Sequence, residues 1–197
     1  MSQDNKLKIN KDIIAKLNPC QNRFDNYLKH YKDFNGSLED SVMLESITYS
    51  DKIWVIARLF TKEQNIKWSI RCAESVLDIY ESKYPDDNRP RLAIESAKSY
   101  LDDPSEAAAR AAFTTYAAAS AAASAAYDAS APYDAAYAAT AAYSAAYSAA
   151  YSAAYDARAA VDAAISAATS AADAAISRTK QEELNLKLAV EVANEPR

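Results

Sequence analysis

The one histidine of the 197-residue chain, His30, sits in the mixed segment Asn26-Tyr-Leu-Lys-His-Tyr-Lys-Asp-Phe34. No second imidazole completes a zinc set, and there is no HExxH spacing, so metal-assisted hydrolysis lacks its parts. Serines are plentiful, but they recur inside helix-like repeats with no base near them in sequence and no GxSxG elbow. A single glycine, Gly36, rules out a glycine-rich phosphate loop. The paired acids Asp86-Asp87 and Asp102-Asp103 stand beside prolines at helix ends, where capping accounts for them without acid-base work. Cys20 and Cys72 lack a CxxC spacing and read as small, reduced core side chains. The expectation is a protein with no catalysis of its own, no cofactor and no metal.

One dense polar cluster remains, Tyr84-Pro-Asp-Asp-Asn-Arg-Pro-Arg91. It reads as a structured turn between helices, in which the acids favour the start of the next helix and the arginines pair with carboxylates such as Glu74 or Glu81. A binding role is the other reading. An enzyme would require His30, Glu74, Asp86, Arg89 and Arg91 to converge in a polar, concave pocket.

The elements that position these residues are helices. The scarcity of glycine leaves Asn35-Gly36 as the one hairpin-like pair, which argues against a β fold. Asn10 opens a short amphipathic piece carrying Ile13, Ile14 and Leu17 and ending before Pro19. Ser37 with Asp40, and Thr61 with Gln64, have capping-box spacing. Ser50 or Asp51 starts a helix with Ile53, Trp54, Ala57, Leu59 and Phe60. Ile66, Ile70, Ala73, Val76, Leu77 and Tyr80 fall on one stripe of a helix running from Ile66 to Tyr80. The next helix begins at Arg89-Pro90-Arg91, with proline in its first turn, and has Leu92, Ile94, Ala97 and Leu101 on its apolar side.

Composition changes at Asp102-Asp103-Pro104-Ser105. Residues 106–178 are about half alanine, which explains a mean hydropathy of −0.32 in a chain whose residues are 50% hydrophobic. One helix is expected from about Ser105 to Ala129 and another from near Pro132. From Tyr133 the sequence repeats alanine with tyrosine, and Tyr143, Tyr147, Tyr151 and Tyr155 recur every four residues. At roughly 100° per residue those four rings sweep roughly 120° of the helix, a winding stripe. Alanine lets helix axes approach closely but brings little hydrophobic burial per residue, and tyrosine rings make up the difference. The stripe can close a thin alanine core, or present a contact face, since tyrosine supplies large area at low entropic cost. No glycine or proline marks a turn between Pro132 and Pro196, yet one helix of that length would run to roughly 90 Å, so the chain must turn somewhere within it. The reading is an all-α bundle of antiparallel helices in one domain, with an ordinary helical half (1–105) and an alanine-rich half (106–197).

The net charge of −5 is mild, and basic residues are interspersed with acids, so no nucleic-acid face stands out. No stretch is long and apolar enough to span a membrane, and the N-terminus lacks the apolar core of a signal peptide, so a cytoplasmic location is expected.

The stretch Trp68-Ser-Ile-Arg-Cys72-Ala-Glu74, followed by Tyr84-Pro85-Asp86, by Arg89-Pro90-Arg91-Leu-Ala-Ile-Glu95 and by an alanine-rich tail, resembles the fifth immunity-protein family of bacterial polymorphic-toxin systems. That family shows a Cys-Ala-Glu helix, a P-x-D-x-x-R-P-R turn and alanine-rich helices. The resemblance covers roughly residues 50 to 178, with tyrosine and serine here in place of the histidines and arginines expected among the alanines. It implies an all-α protein that binds and neutralises a cognate toxin domain. Trp68, Cys72, Glu74, Pro85, Asp86, Arg89, Pro90 and Arg91 would then be structural motif residues, and Tyr143, Tyr147, Tyr151, Tyr155 and Asp156 the candidates for the partner surface. The mildly acidic array would suit a basic, nuclease-like toxin. The rival readings are an ice-binding alanine-rich bundle and an enzyme with an unrecognised site.

Overall fold

The computed structural model describes residues 7–128, 133–154, 157–175 and 177–196. The fold is all-α apart from a two-stranded ribbon near the N-terminus, in which β1 (Lys8–Asn10) pairs antiparallel with β2 (Asn35–Ser37). Asn35-Gly36 thus lies within a strand. A Cβ on Gly36 would come within 2.6 Å of the Phe34 ring, so the missing side chain is what lets that ring lie against the strand. Between the strands run α1 (Lys11–Lys16) and α2 (Gln21–Tyr31). The Asn10 side chain starts α1 by accepting from the amides of Asp12 and Ile13.

After β2 come α3 (Leu38–Val42), α4 (Tyr49–Leu59), α5 (Lys62–Glu74), α6 (Leu77–Lys83) and α7 (Arg89–Asp102). Both expected capping boxes are present, Ser37 with Asp40 on α3 and Thr61 with Gln64 on α5. Three local expectations are corrected. The cap of α4 is Thr48, whose Oγ1 accepts from the Asp51 amide at 3.2 Å, so Ser50 and Asp51 lie inside the first turn. The stripe from Ile66 to Tyr80 is buried throughout, but it belongs to two helices. The Ser75 hydroxyl donates to the Cys72 carbonyl, the Val76 amide reaches back three residues to Ala73, and Val76 leaves helical geometry at φ −126°. This break redirects the chain while keeping its apolar side inward. On α7, Leu92 is exposed, and the buried side consists of Pro90, Ala93, Ile94, Ala97 and Tyr100.

The alanine-rich half forms α8 (Glu106–Asp128), α9 (Tyr133–Ala154) and α10 (Ala157–Ala174), followed by the charged α11 (Arg178–Asn194). The stretch after Pro132 is therefore divided among three helices that pack on one another, α9 on α10 and α10 on α11, among the described residues. α9 is the hub, packed against α5, α6, α7, α8 and α10. Ala135, Ala136, Ala138, Ala139, Ala141, Ala142, Ala145, Ala146, Ala149 and Ala150 are all buried, so α9 has core on nearly every side. Only a methyl-sized side chain permits that many close neighbours around one helix.

A buried polar seam ties the two halves together. The Trp68 indole donates to the Asn185 carbonyl at 2.9 Å, and the Asn185 amide donates to the Tyr49 hydroxyl at 2.9 Å and to the Ala168 carbonyl at 2.8 Å. Gln181 donates to Ser75 and to the Asn185 side-chain oxygen. Four helices (α4, α5, α10 and α11) thus meet at one asparagine, and burial raises the Tyr49 hydroxyl far above its ordinary pKa. The apolar core runs unbroken from Ile9 of the ribbon to Val192 of α11.

Candidate partner-binding surface

The Pro-Asp-Asp-Asn-Arg-Pro-Arg turn joins α6 to α7, and its side chains are turned onto one another. The Tyr80 hydroxyl donates to the Asp87 carboxylate at 2.7 Å. Arg89 donates to the same carboxylate through its backbone amide at 3.1 Å, its Nε at 2.8 Å and its Nη2 at 2.6 Å. The Arg89 guanidinium holds the Asp87 carboxyl well below the usual carboxylate range, with Tyr80 adding to the effect. Pro90 is buried in the first turn of α7, and Arg91 forms a two-pronged bond to Glu81. Glu74 pairs with Lys98 of α7 in place of an arginine.

The working acid of the motif is therefore Asp87, which sequence reasoning passed over in favour of Asp86. Pro85 and Asp86 are exposed. The available signal was the spacing, because an acid two residues before the first helical position can accept from the helix's opening amide. Trp68 and Cys72 are wholly buried, and burial pushes the Cys72 thiol far up, which removes it from thiolate chemistry. Cys20, expected in the core, is exposed, because its place is the loop between Pro19 and α2.

The tyrosine stripe faces α8. Tyr143, Tyr147 and Tyr151 stack along α9, with ring centroids 6.2 Å and 4.1 Å apart, and α8 sets Tyr116 against all three. Phe113 closes the row, 5.2 Å from Tyr116 and 6.0 Å from Tyr151. The three stripe tyrosines are half-buried, while Phe113 is 49% exposed. Burial and the neighbouring Tyr116 raise the Tyr143 hydroxyl above its ordinary value. The strip thus fills the seam between α8 and α9 with one edge and leaves aromatic surface exposed along the other. Tyr155 and Asp156 lie outside the described residues. A second set, Tyr127, Tyr133 and Tyr137, joins the opposite ends of the same two helices.

The five residues required by an enzyme reading do not gather. Glu74, Arg89 and Arg91 are each engaged in the pairs above, and His30 is exposed on α2. Neither the groove beside α2 and α4 nor the one between α5 and α11 is lined by any of the five. No group of three or more His, Cys, Asp or Glu side chains suited to a metal ion occurs among the described residues. No described helix is long and apolar enough to cross a membrane.

Comparison with curated proteins and with solved structures gives no match to the chain. A family model does match, over residues 57–187, from the last turns of α4 into α11 and across the α6–α7 turn and the alanine array. The chain belongs to this family, the "Imm-5 like putative immunity protein" family.

Proposed function

We propose that this protein is an immunity protein that binds a cognate bacterial toxin and blocks it by occupancy, without a reaction of its own. The observation that carries the reading is membership of an immunity family across most of the chain, 57–187. The aromatic strip on α8 and α9 lies within that segment, and its composition suits a contact surface. Half-exposed rings, held by their neighbours, lose little entropy on binding and give large apolar area with a polar tip.

The toxin is proposed to be basic and nuclease-like. Between residues 106 and 177 the acids are Glu106, Asp128, Asp134, Asp156, Asp162 and Asp173, against Arg110 and Arg158 alone, so this half carries most of the net charge of −5. Complementary charge speeds encounter with a positive partner. A cytoplasmic setting is supported by two cysteines that are both free. An ice-binding face is disfavoured, because Thr140 and Thr169 turn their hydroxyls back onto the carbonyls of Ala136 and Ile165.

The test is pull-down of the product of a neighbouring toxin gene, together with growth rescue of cells expressing it. Failure of both sinks the proposal. Given binding, Phe113→Ala is expected to weaken it at least tenfold, since truncating an aromatic anchor costs on the order of 2 kcal/mol.

A further inference from the structure

A four-residue step advances an α-helix by roughly 40° around its axis and roughly 6 Å along it, which brings successive rings of the Tyr-Ser-Ala-Ala repeat side by side. Tyr147 and Tyr151 make the tightest use of that step. Their ring centroids are 4.1 Å apart and their planes 24° apart, the closest tyrosine pair among the described residues. Tyr143 lies 6.2 Å from Tyr147 and nearly parallel to it, and Tyr116 of α8 reaches the three rings at 4.9, 5.5 and 6.3 Å. Four phenols therefore form one contiguous row.

Other close tyrosines are placed differently. Tyr80 and Tyr84 have centroids 4.9 Å apart but planes tilted by 36°. Tyr80 is also 1% exposed, with its hydroxyl donating to Asp87, so its ring cannot turn without disturbing a packed core. Tyr127 and Tyr133 are 5.9 Å apart at 58°. Tyr147 and Tyr151, in contrast, lie face to face and are half-buried, so their rings have room to slide along the open edge of the strip.

That arrangement suits one reaction. A phenol that loses an electron and its proton becomes a phenoxyl radical, with spin on the oxygen and on the ortho and para ring carbons. The para carbon of tyrosine carries Cβ, so two radicals held face to face couple through ortho carbons. The rest of the row enlarges the target, because electron transfer between touching rings passes an oxidation at Tyr116 or Tyr143 on to the stacked pair.

We propose that the strip on α8 and α9 is a site of oxidative modification, in which a haem-type oxidant charged by hydrogen peroxide joins Tyr147 to Tyr151 as a dityrosine. Each phenol gives up one electron and one proton, the two ortho carbons form the new bond, and the ortho hydrogens shift to the oxygens as the rings regain aromaticity. Hydrogen peroxide takes up the two electrons and two protons and leaves as two molecules of water. The product is a covalent staple across one turn of α9, in a chain lighter by two hydrogen atoms. The proposal does not rest on the immunity reading, and its test uses the protein without a toxin.

The test treats the full chain, at a concentration low enough to make encounters between molecules rare, with a haem peroxidase and hydrogen peroxide. Dityrosine fluorescence should appear in a species that remains monomeric on a denaturing gel. Trypsin releases Ala111 to Arg158 as one peptide, since no Lys or Arg lies between Arg110 and Arg158. Its fragmentation should show a loss of two hydrogens and a gap in the backbone series confined to residues 147–151. Tyr151→Phe and Tyr147→Phe keep a ring in the stack and remove the phenol, and each should lower the dityrosine yield at least about fivefold, because the facing partner is lost. Tyr133→Phe, at the other end of the strip, should leave the yield unchanged. In denaturing urea the tyrosines of the repeat become equivalent, and the link should scatter over several pairs. A product joined mainly between chains, a gap elsewhere in the peptide, a yield that survives Tyr151→Phe, or the same selectivity in urea would each overturn the proposal.

Discussion

Replacing Asn185 by alanine tests whether the buried seam holds the two halves of the protein together. The side chain is 0% exposed and makes three hydrogen bonds, to Tyr49 and Ala168 as donor and from Gln181 as acceptor. Each former partner keeps another bond: Tyr49 still donates to the Ala168 carbonyl at 3.1 Å, and Gln181 still donates to Ser75 at 2.7 Å. The loss is therefore close to the net worth of the bonds, about 2–3 kcal/mol, with about 1 kcal/mol more for the small cavity left behind. A total of about 3–4 kcal/mol is a sizeable share of a stability of order 5–15 kcal/mol, and corresponds to a fall in Tm of roughly 6–16 °C. Urea denaturation followed by far-UV circular dichroism measures it. A second arm, Tyr49→Phe alone and combined with Asn185→Ala, isolates the 2.9 Å contact, with an expected coupling of about 1 kcal/mol. A loss below about 1 kcal/mol for Asn185→Ala, or strict additivity of the two changes, would refute the view that this seam is a stabilising junction.

Asp87→Ala is expected to cost about 1–2 kcal/mol at neutral pH, a figure discounted because Arg89 is partly exposed. Because the native carboxyl is held below its ordinary value, its contribution is complete above the unfolded pKa of about 4 and fades as pH falls below it. The gap between variant and parent should accordingly narrow from pH 7 to pH 3 in denaturation curves; a gap independent of pH contradicts the assignment. Thiol titration of the native protein at pH 8 should count one fast cysteine, the exposed Cys20, with Cys72 reacting only on global unfolding. Two fast thiols would place Cys72 elsewhere than the core.

Most helix starts were legible because capping is local chemistry. Asn10, Ser37 and Thr61 announce themselves within four residues, and so does the proline opening α7. The break at Ser75-Val76 was not legible, since the apolar stripe continues through it and the deviation is set by what the helices pack against. The division of the stretch after Pro132 into α9, α10 and α11 has no glycine or proline to mark it. Within the motif, Asp87 was marked only by its place two residues before α7, and the approach of Tyr80 from the preceding helix, which no local pattern shows, completes its set of partners. The tyrosine spacing correctly gave a stripe. Which rings meet which could not be read, because the facing residues Phe113 and Tyr116 stand some thirty residues upstream and belong to no repeat.

The alanine packing of α9 raises a question of register. Its Tyr-Ser-Ala-Ala units are interchangeable, so an alanine interface alone would let the helix slide by one unit at little energetic penalty. Two small residues forbid it. A slip in one direction would carry Tyr143 into the place of Ala139, and a slip in the other would carry Tyr137 into the place of Ala141, both of them fully enclosed. A phenol ring cannot enter either space without parting the helices. The off-phase tyrosine at 137, six residues from 143 instead of four, acts as a detent, and the stretch that looks most monotonous in sequence is locked to a single alignment.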